Sequence, residues 1–345
     1  MTDINVKPFL LIVSLLFAFM INTAQVRSQF YLDVRVKTDP PSLIPYNALV
    51  KIKGNVTYQG ELVQNGLIGI QVEDYPSTSP TTPKTILMRT LSLNQEQSLP
   101  FSLEIVSLLS LDDYGNPKLN VKRGKYIWVN MTVENEGLSA QDVYLFTTVA
   151  DSRLEPLSVD NVTVTIPGGR TGGLAAKVQI PTWASVGTAY IYGNVLTSFP
   201  KNLGIPLCPE KISHFDIEQS SSVPPEQPVE NGTFEMKFRL RPDMVRGKCQ
   251  ISGSAWSPWA GGYTGFGPAS FEYFLPGDFD KDNDVDLYDA VGLLKIYGVN
   301  EDNPSYRAKY DISYPPATEH ADGIIGLYDA TYMLIYYGTR APAAG

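Results

Sequence analysis

From residue 30 the chain alternates apolar and polar positions in short runs. "FYLDVRV" (30–36), "ALVKIKGNVTYQG" (48–60) and "GLIGIQVEDY" (66–75) each carry apolar residues at about every second position and are separated by Pro, Asn and Gly clusters. Successive strand side chains point to opposite faces, so this period predicts half-buried β-strands joined by turns. A second series starts near Phe101: "LEIVSLLSLDD", "KYIWVNMTVENEG", "QDVYLFTTVAD", "VDNVTVTIPGG", "GLAAKVQIP" and "TAYIYGNVL". The expected fold class is therefore mainly β, with β-sandwich domains spanning 29–100 and 101–275. Within the second span, "GGLAAKVQIPTWASVGTAYIYGNV" (172–195) parallels "NGTFEMKFRLRPDMVRGKCQISGSA" (231–255). That parallel reads as a duplicated strand unit, with a possible boundary in the linker at 219–231.

At residue 276 the pattern changes. Six aspartates, Asp278, Asp280, Asp282, Asp284, Asp286 and Asp289, occupy twelve positions, and a helical period follows, with Leu287, Ala290, Val291 and Leu294 on one face. Counted from Asp278 as position 1, these are the ligand positions of a twelve-residue calcium loop: side chains at 1, 3, 5, 9 and 12, and the backbone carbonyl of Asp284 at 7. Asn283 stands at position 6, where the chain needs positive φ and Gly is usual. Val285 at position 8 is the apolar plug. Hard oxygen donors in this number select Ca²⁺. "LYDAVGLLKIYG" (287–298) returns as "LYDATYMLIYYG" (327–338), which makes the tail from 276 to 345 a duplicated loop-helix unit. In the second loop Asp322 and Asp329 fit positions 5 and 12, and Gly326 replaces the ligand at 9. Positions 1 and 3 fall on Asp311 and Ser313 if "YPPATEHA" is an insertion, and on Thr318 and His320 otherwise.

Composition adds compartment and partners. A 345-residue chain with 43% hydrophobic content can bury several cores. The net charge of −9, with twelve acidic against five basic residues between 277 and 345, argues against a nucleic-acid partner and calls for either a cation or a repulsive, solvated loop in the tail. Residues 1–28 read as a signal peptide, with Lys7 ahead of an apolar run at 9–21 that is too short to span a bilayer. The expected localisation is extracellular or at the cell surface. Asn55, Asn130, Asn161 and Asn231 head N-x-Ser/Thr triplets, candidate glycosylation sites on an exported chain. Cys208 and Cys249 are the only cysteines and outside the cell are expected to pair as a disulfide. No G-x-S-x-G, H-E-x-x-H or P-loop motif occurs, and only two histidines are present, so no catalytic role is expected.

Two resemblances sharpen the expectation. "YIWVNMTVENEGLSAQDVYLFTTV" (126–149) resembles the strand pair of a CARDB-type adhesion module, an immunoglobulin-like fold of prokaryotic, notably archaeal, surface proteins, with an Asn-x-Gly turn joining the strands. The tail resembles a dockerin, a small all-α calcium-folded module that docks onto cohesin domains. That resemblance implies a cohesin-like or other surface-protein partner, met by positions 10 and 11 of each loop, here Leu287, Tyr288, Leu327 and Tyr328. The sandwiches would then serve as adhesion, ligand-binding or spacer domains, with polysaccharide as a further possible partner. A second reading makes the tail a calcium-dependent stabiliser of an adhesin or surface-layer protein, and a third, a component of a carbohydrate-active enzyme.

Overall fold

The computed structural model describes residues 32–39, 43–45, 49–76, 83–93, 101–218, 232–241, 244, 247–258, 266–312 and 322–340. The expected signal peptide, the 219–231 linker, Asn231, Ser313, Thr318 and His320 lie outside them. The chain is mainly β. Six strands come first: β1 (Leu32–Asp39), β2 (Leu43–Pro45), β3 (Leu49–Tyr58), β4 (Glu61–Leu62), β5 (Leu67–Pro76) and β6 (Lys84–Ser92). Eight follow: β7 (Leu103–Leu111), β8 (Asn120–Val121), β9 (Tyr126–Asn135), β10 (Gln141–Ala150), β11 (Pro156–Ile166), β12 (Arg170–Gln179), β13 (Gly187–Leu196) and β14 (Lys211–Ile217). β15 (Thr233–Arg239), β16 (Gly247–Trp256) and β17 (Phe266–Phe274) precede two helices, α1 (Leu287–Leu294) and α2 (Leu327–Tyr336).

The strands do not sort in sequence order. β1-β3-β15, with β4 added to β3, faces the sheet β2-β17-β16-β5-β6 across one apolar core. The sheets β12-β9-β7 and β11-β10-β13-β14-β8 enclose a second core. The sequential division at residue 100 is thereby corrected: β7–β14 form a unit inserted between β6 and β15 of an outer unit. The physical reason is pairing at long range. β15 lies antiparallel to β3 from Thr233↔Asn55 to Arg239↔Leu49, and β16 lies against β5 from Gly247↔Pro76 to Trp256↔Leu67. The two parallel segments noticed in the sequence fall one in each unit, as β12–β13 and β15–β16, and each passes from one sheet to the facing sheet.

The Asn-x-Gly turn does not close a strand pair, contrary to the expectation from the sequence. β9 and β10 do not pair as a hairpin; they lie in opposite sheets, and the turn at 135–137 carries the chain across the core. Asn135 is fully buried and holds that crossing, donating through Nδ2 to the carbonyls of Ser139 and Ile166 and accepting from Gly137 N–H, each at 2.9 Å.

β5, β6 and β13 are buried almost throughout because one face meets its own core and the other meets the neighbouring unit. Met88 of β6 sits with Phe146 and Leu196 of the inserted unit. Beside it, Arg89 donates through Nε to both carboxylate oxygens of Glu210 at 3.0 and 2.9 Å, with its guanidinium carbon 3.6 Å from the Tyr192 ring centroid. Both ends of this ion pair are almost fully buried. Glu210 also accepts from Thr90 N–H at 3.1 Å, so the charge is met from two sides.

Among the described residues, the helical tail has no core of its own. Phe279, Val285, Leu293, Ile312, Ile325 and Met333 belong to the same apolar cluster as Ile52, Phe238, Phe271 and Leu275 of the outer unit. Among the described residues, no helix is long and apolar enough to cross a membrane.

Candidate metal centre

The first loop folds through its own carboxylates. Asp278 Oδ2 accepts from Asn283 N–H at 3.0 Å, which draws position 6 back over position 1. Asp289 Oδ1 accepts from Phe279 N–H at 2.6 Å and Asp280 N–H at 3.2 Å, while its Oδ2 accepts from Asp286 N–H at 3.0 Å. Position 12 therefore reaches back from α1 to both the start of the loop and the start of the helix. Asp286 caps α1, its carboxylate accepting from Tyr288 N–H at 2.7 Å. Asn283 has φ +75°, the left-handed conformation for which Asn is the best substitute for Gly. Val285 is fully buried.

The second loop repeats this wiring. Asp311 Oδ2 accepts from Gly323 N–H at 2.9 Å, Asp329 Oδ1 from Ile312 N–H at 2.8 Å and Asp329 Oδ2 from Gly326 N–H at 2.7 Å. Gly323 has φ +78°, and Ile325 is buried like Val285. Asp311 thus occupies position 1, as the insertion register requires. Tyr306 was not anticipated: its hydroxyl donates to Asp311 Oδ2 at 2.6 Å, a contact with no counterpart in the first loop and no signal in the repeat. Gly326 gives α2 no side-chain cap.

Each loop is clamped by the exit of the other's helix. Val285 donates to the carbonyl of Thr339 at 3.0 Å and accepts from Gly338 N–H at 2.8 Å. Ile325 does the same with Val299 and Gly298, at 2.9 and 2.7 Å.

Carboxylate oxygens converge within 4.8 Å in three sets: Asp278, Asp280 and Asp282; Asp284, Asp286 and Asp289; and Asp311, Asp322 and Asp329. Burial pushes the Asp278 and Asp311 carboxyls up to about 6, against the N–H groups of Asn283 and Lys281 in one case and the Tyr306 hydroxyl in the other. One oxygen of each, Asp278 Oδ1 and Asp311 Oδ1, is buried with no hydrogen-bond partner, as is Asp284 Oδ1. Asp284 Oδ2 meets Arg340 Nε at 3.1 Å. A buried carboxylate oxygen without a donor is costly, and a hard cation is the chemical species these donors fit.

The apolar stripe of α1 faces outward. Leu287, Tyr288, Val291 and Leu294 are exposed, and Leu293 is buried instead. Asp289 sets this rotation, because a carboxylate turned into the loop brings Leu293, four residues on, to the same inward side. On α2, Leu327, Tyr328, Leu334 and Ile335 are likewise exposed.

Cys208 and Cys249 are both free, which corrects the expected disulfide. Cys208 lies in the core of the inserted unit and Cys249 in that of the outer unit, because the strands assigned to one duplicated module belong to two. Burial pushes the Cys208 thiol up to about 12. Of the candidate glycosylation sites, Asn161 is exposed on the edge strand β11, whereas Asn55 and Asn130 are half-buried on the central strands β3 and β9.

No family model matches the chain, and no curated protein matches it. Solved structures match only in part. The alkylpurine DNA glycosylase AlkC of Pseudomonas fluorescens is 11% identical over 34% of this chain and 31% of its own, with a TM-score of 0.26. The β-glucosidase of Listeria innocua gives 12%, 34%, 16% and 0.24 in the same order, and the C-terminal domain of wzt 12%, 36%, 84% and 0.28. The chain spans about a third or less of the first matching structures. At these TM-scores the likenesses carry no argument about function.

Proposed function

We propose that this is an exported, non-catalytic, calcium-binding surface protein: two immunoglobulin-like β-sandwiches, one inserted in the other, carrying a dockerin-like calcium module that docks onto a cohesin-like or other surface protein. The observation that carries the reading is the pair of buried, partnerless oxygens, Asp278 Oδ1 and Asp311 Oδ1, at position 1 of two loops that share the backbone bonds to positions 1 and 12. Asp278, Asp280, Asp282, Asp286 and Asp289, with the carbonyl of Asp284, would hold one Ca²⁺. Asp311, Asp322 and Asp329, with Ser313, would hold the other more weakly, since charge count tunes affinity. Calcium fixes the loops, and the loops fix the helix starts that carry Leu287, Tyr288, Leu327 and Tyr328, the proposed partner contacts. Calorimetric titration of the mature chain with CaCl₂ tests it. Two events of unequal affinity are expected, and the Asp278→Ala/Asp282→Ala variant should lose the tighter one. Survival of tight binding in that variant would refute the assignment.

A second reading, in which calcium only stabilises the C-terminus of an adhesin or surface-layer protein, is favoured by the apolar cluster that the tail shares with the outer unit. Leu287→Asp/Tyr328→Asp separates the two. Docking demands loss of retention on the cell surface with calcium binding intact; the stabiliser reading demands retention unchanged.

A further inference from the structure

The outer face of the sheet β12-β9-β7 carries exposed side chains on all three strands, and one end of it carries aromatic side chains. Buried and half-exposed residues alternate along β9, so Tyr126 and Trp128 share the outward side, with Lys177 of β12 directly opposite Trp128. The Trp128 indole N–H donates to Asp113 Oδ1 at 3.0 Å. Lys177 Nζ lies 3.8 Å from the same oxygen and 5.0 and 5.6 Å from the Tyr126 and Trp128 ring centroids. Tyr114, 90% exposed, stands on the adjoining hairpin.

That hairpin is firmly built for one that exposes a tyrosine. Asp112 Oδ1 accepts from Tyr114 and Asn116 N–H at 2.8 and 2.9 Å, and these donors hold its carboxyl below the usual range. Lys118 Nζ ties the returning strand to the Tyr126 carbonyl at 3.0 Å. Exposed aromatic area is costly in water, and rigid presentation lowers the entropy lost on binding.

We propose that Tyr114, Tyr126 and Trp128, with Asp113 and Lys177, form a binding platform for the pyranose rings of a polysaccharide. A sugar ring offers C–H groups to the electron-rich ring faces, and hydroxyls that both donate and accept. Asp113 supplies an acceptor beside the Trp128 indole, and the Lys177 ammonium, which lies over the Tyr126 and Trp128 faces, supplies a donor to a sugar hydroxyl. Lys177 also disfavours a cationic ligand, whose charge would meet its ammonium over the same faces. β9, paired on both sides to β12 and β7, cannot itself add a peptide strand beneath these rings. The proposal is independent of calcium and of the helical tail.

The test is co-sedimentation and affinity electrophoresis of the mature chain, produced without N-glycans, against cellulose, chitin, xylan and β-mannan. At least one polymer should retain the protein, and its soluble oligosaccharide should change tryptophan fluorescence. Tyr114→Ala, at an exposed position, should keep the melting temperature and bind at least tenfold more weakly; Trp128→Ala should lose retention. The inference is overturned if none of the four polymers retains the chain, if Tyr114→Ala binds unchanged, or if a proline-rich peptide binds the platform and the polymers do not.

Discussion

Met333→Ala should destabilise the outer β-unit as well as the helix that carries it. Met333 is 3% exposed on α2 and packs against the turn leading out of β17, so closely that a Cβ placed on Gly277 would stand 2.8 Å from its Cγ. The same cluster runs through Val285 and Ile325 to Phe274, Phe238 and Ile52. Removing the side chain deletes buried methylene and sulfur contacts and leaves a cavity between helix and sheet, a change that costs about 2–5 kcal/mol. For a cooperative unit of this size that corresponds to a fall in melting temperature of roughly 5–15 °C. Hydrogen exchange read peptide by peptide is the assay. If helices and outer sheets open together, amides of β3, β15 and β17 should lose protection along with α1 and α2, while β9, β12 and the rest of the inserted core change less. Loss confined to residues 276–340, with β3 and β15 protected as before, would refute the shared-core argument.

Three further outcomes follow from individual contacts. Burial, reinforced by the neighbouring Asp151 carboxylate, pushes the Glu155 carboxyl up to about 7. A raised acid favours the protonated fold, so its stabilisation is complete below pH 4.5 and is lost as pH rises through 7; relative to Glu155→Gln, the wild type should lose about 3 kcal/mol in urea unfolding across that window. Arg89→Ala leaves Glu210 buried without its cation and should cost about 3–5 kcal/mol, whereas Arg89→Met/Glu210→Leu should recover much of it; chemical denaturation of the single and double variants checks this. Asn283→Ala forces a Cβ-bearing residue without a compensating side chain to φ +75° and should cost about 1–2 kcal/mol of loop stability, while Asn283→Gly should be neutral or better, read as the melting temperature in calcium.

Much of the strand content was legible because half-buried strands announce themselves by alternation: β9 and β12 bury every second residue along most of their length. β6 was not, since "KTILMRTLS" is buried on both faces and has no period to show. The insertion of one unit in the other was invisible for a different reason. Pairing of β15 with β3 joins residues nearly two hundred positions apart, and nothing local in "TFEMKFR" records its partner. The disulfide expectation falls with it, because Cys208 and Cys249 lie in separate cores that only the long-range pairing reveals. In the first acidic loop the spacing marks out the carboxylates that the structure gathers, in the two sets Asp278, Asp280, Asp282 and Asp284, Asp286, Asp289, although the loop register gives the Asp284 carboxylate no part. The outward turn of Leu287, Val291 and Leu294 was also encoded, through Asp289, but the apolar period pointed the other way.

The central claim is that the loops at 278–289 and 311–329 are calcium sites. A crystal structure of the mature chain grown in calcium, with anomalous differences collected at long wavelength, tests it most directly. Two peaks are predicted, one at about 2.4 Å from Asp278 Oδ1 and the other at the same distance from Asp311 Oδ1, the first with the fuller occupancy. An empty map at both positions, with those oxygens bonded to water or to protein donors, would contradict the account.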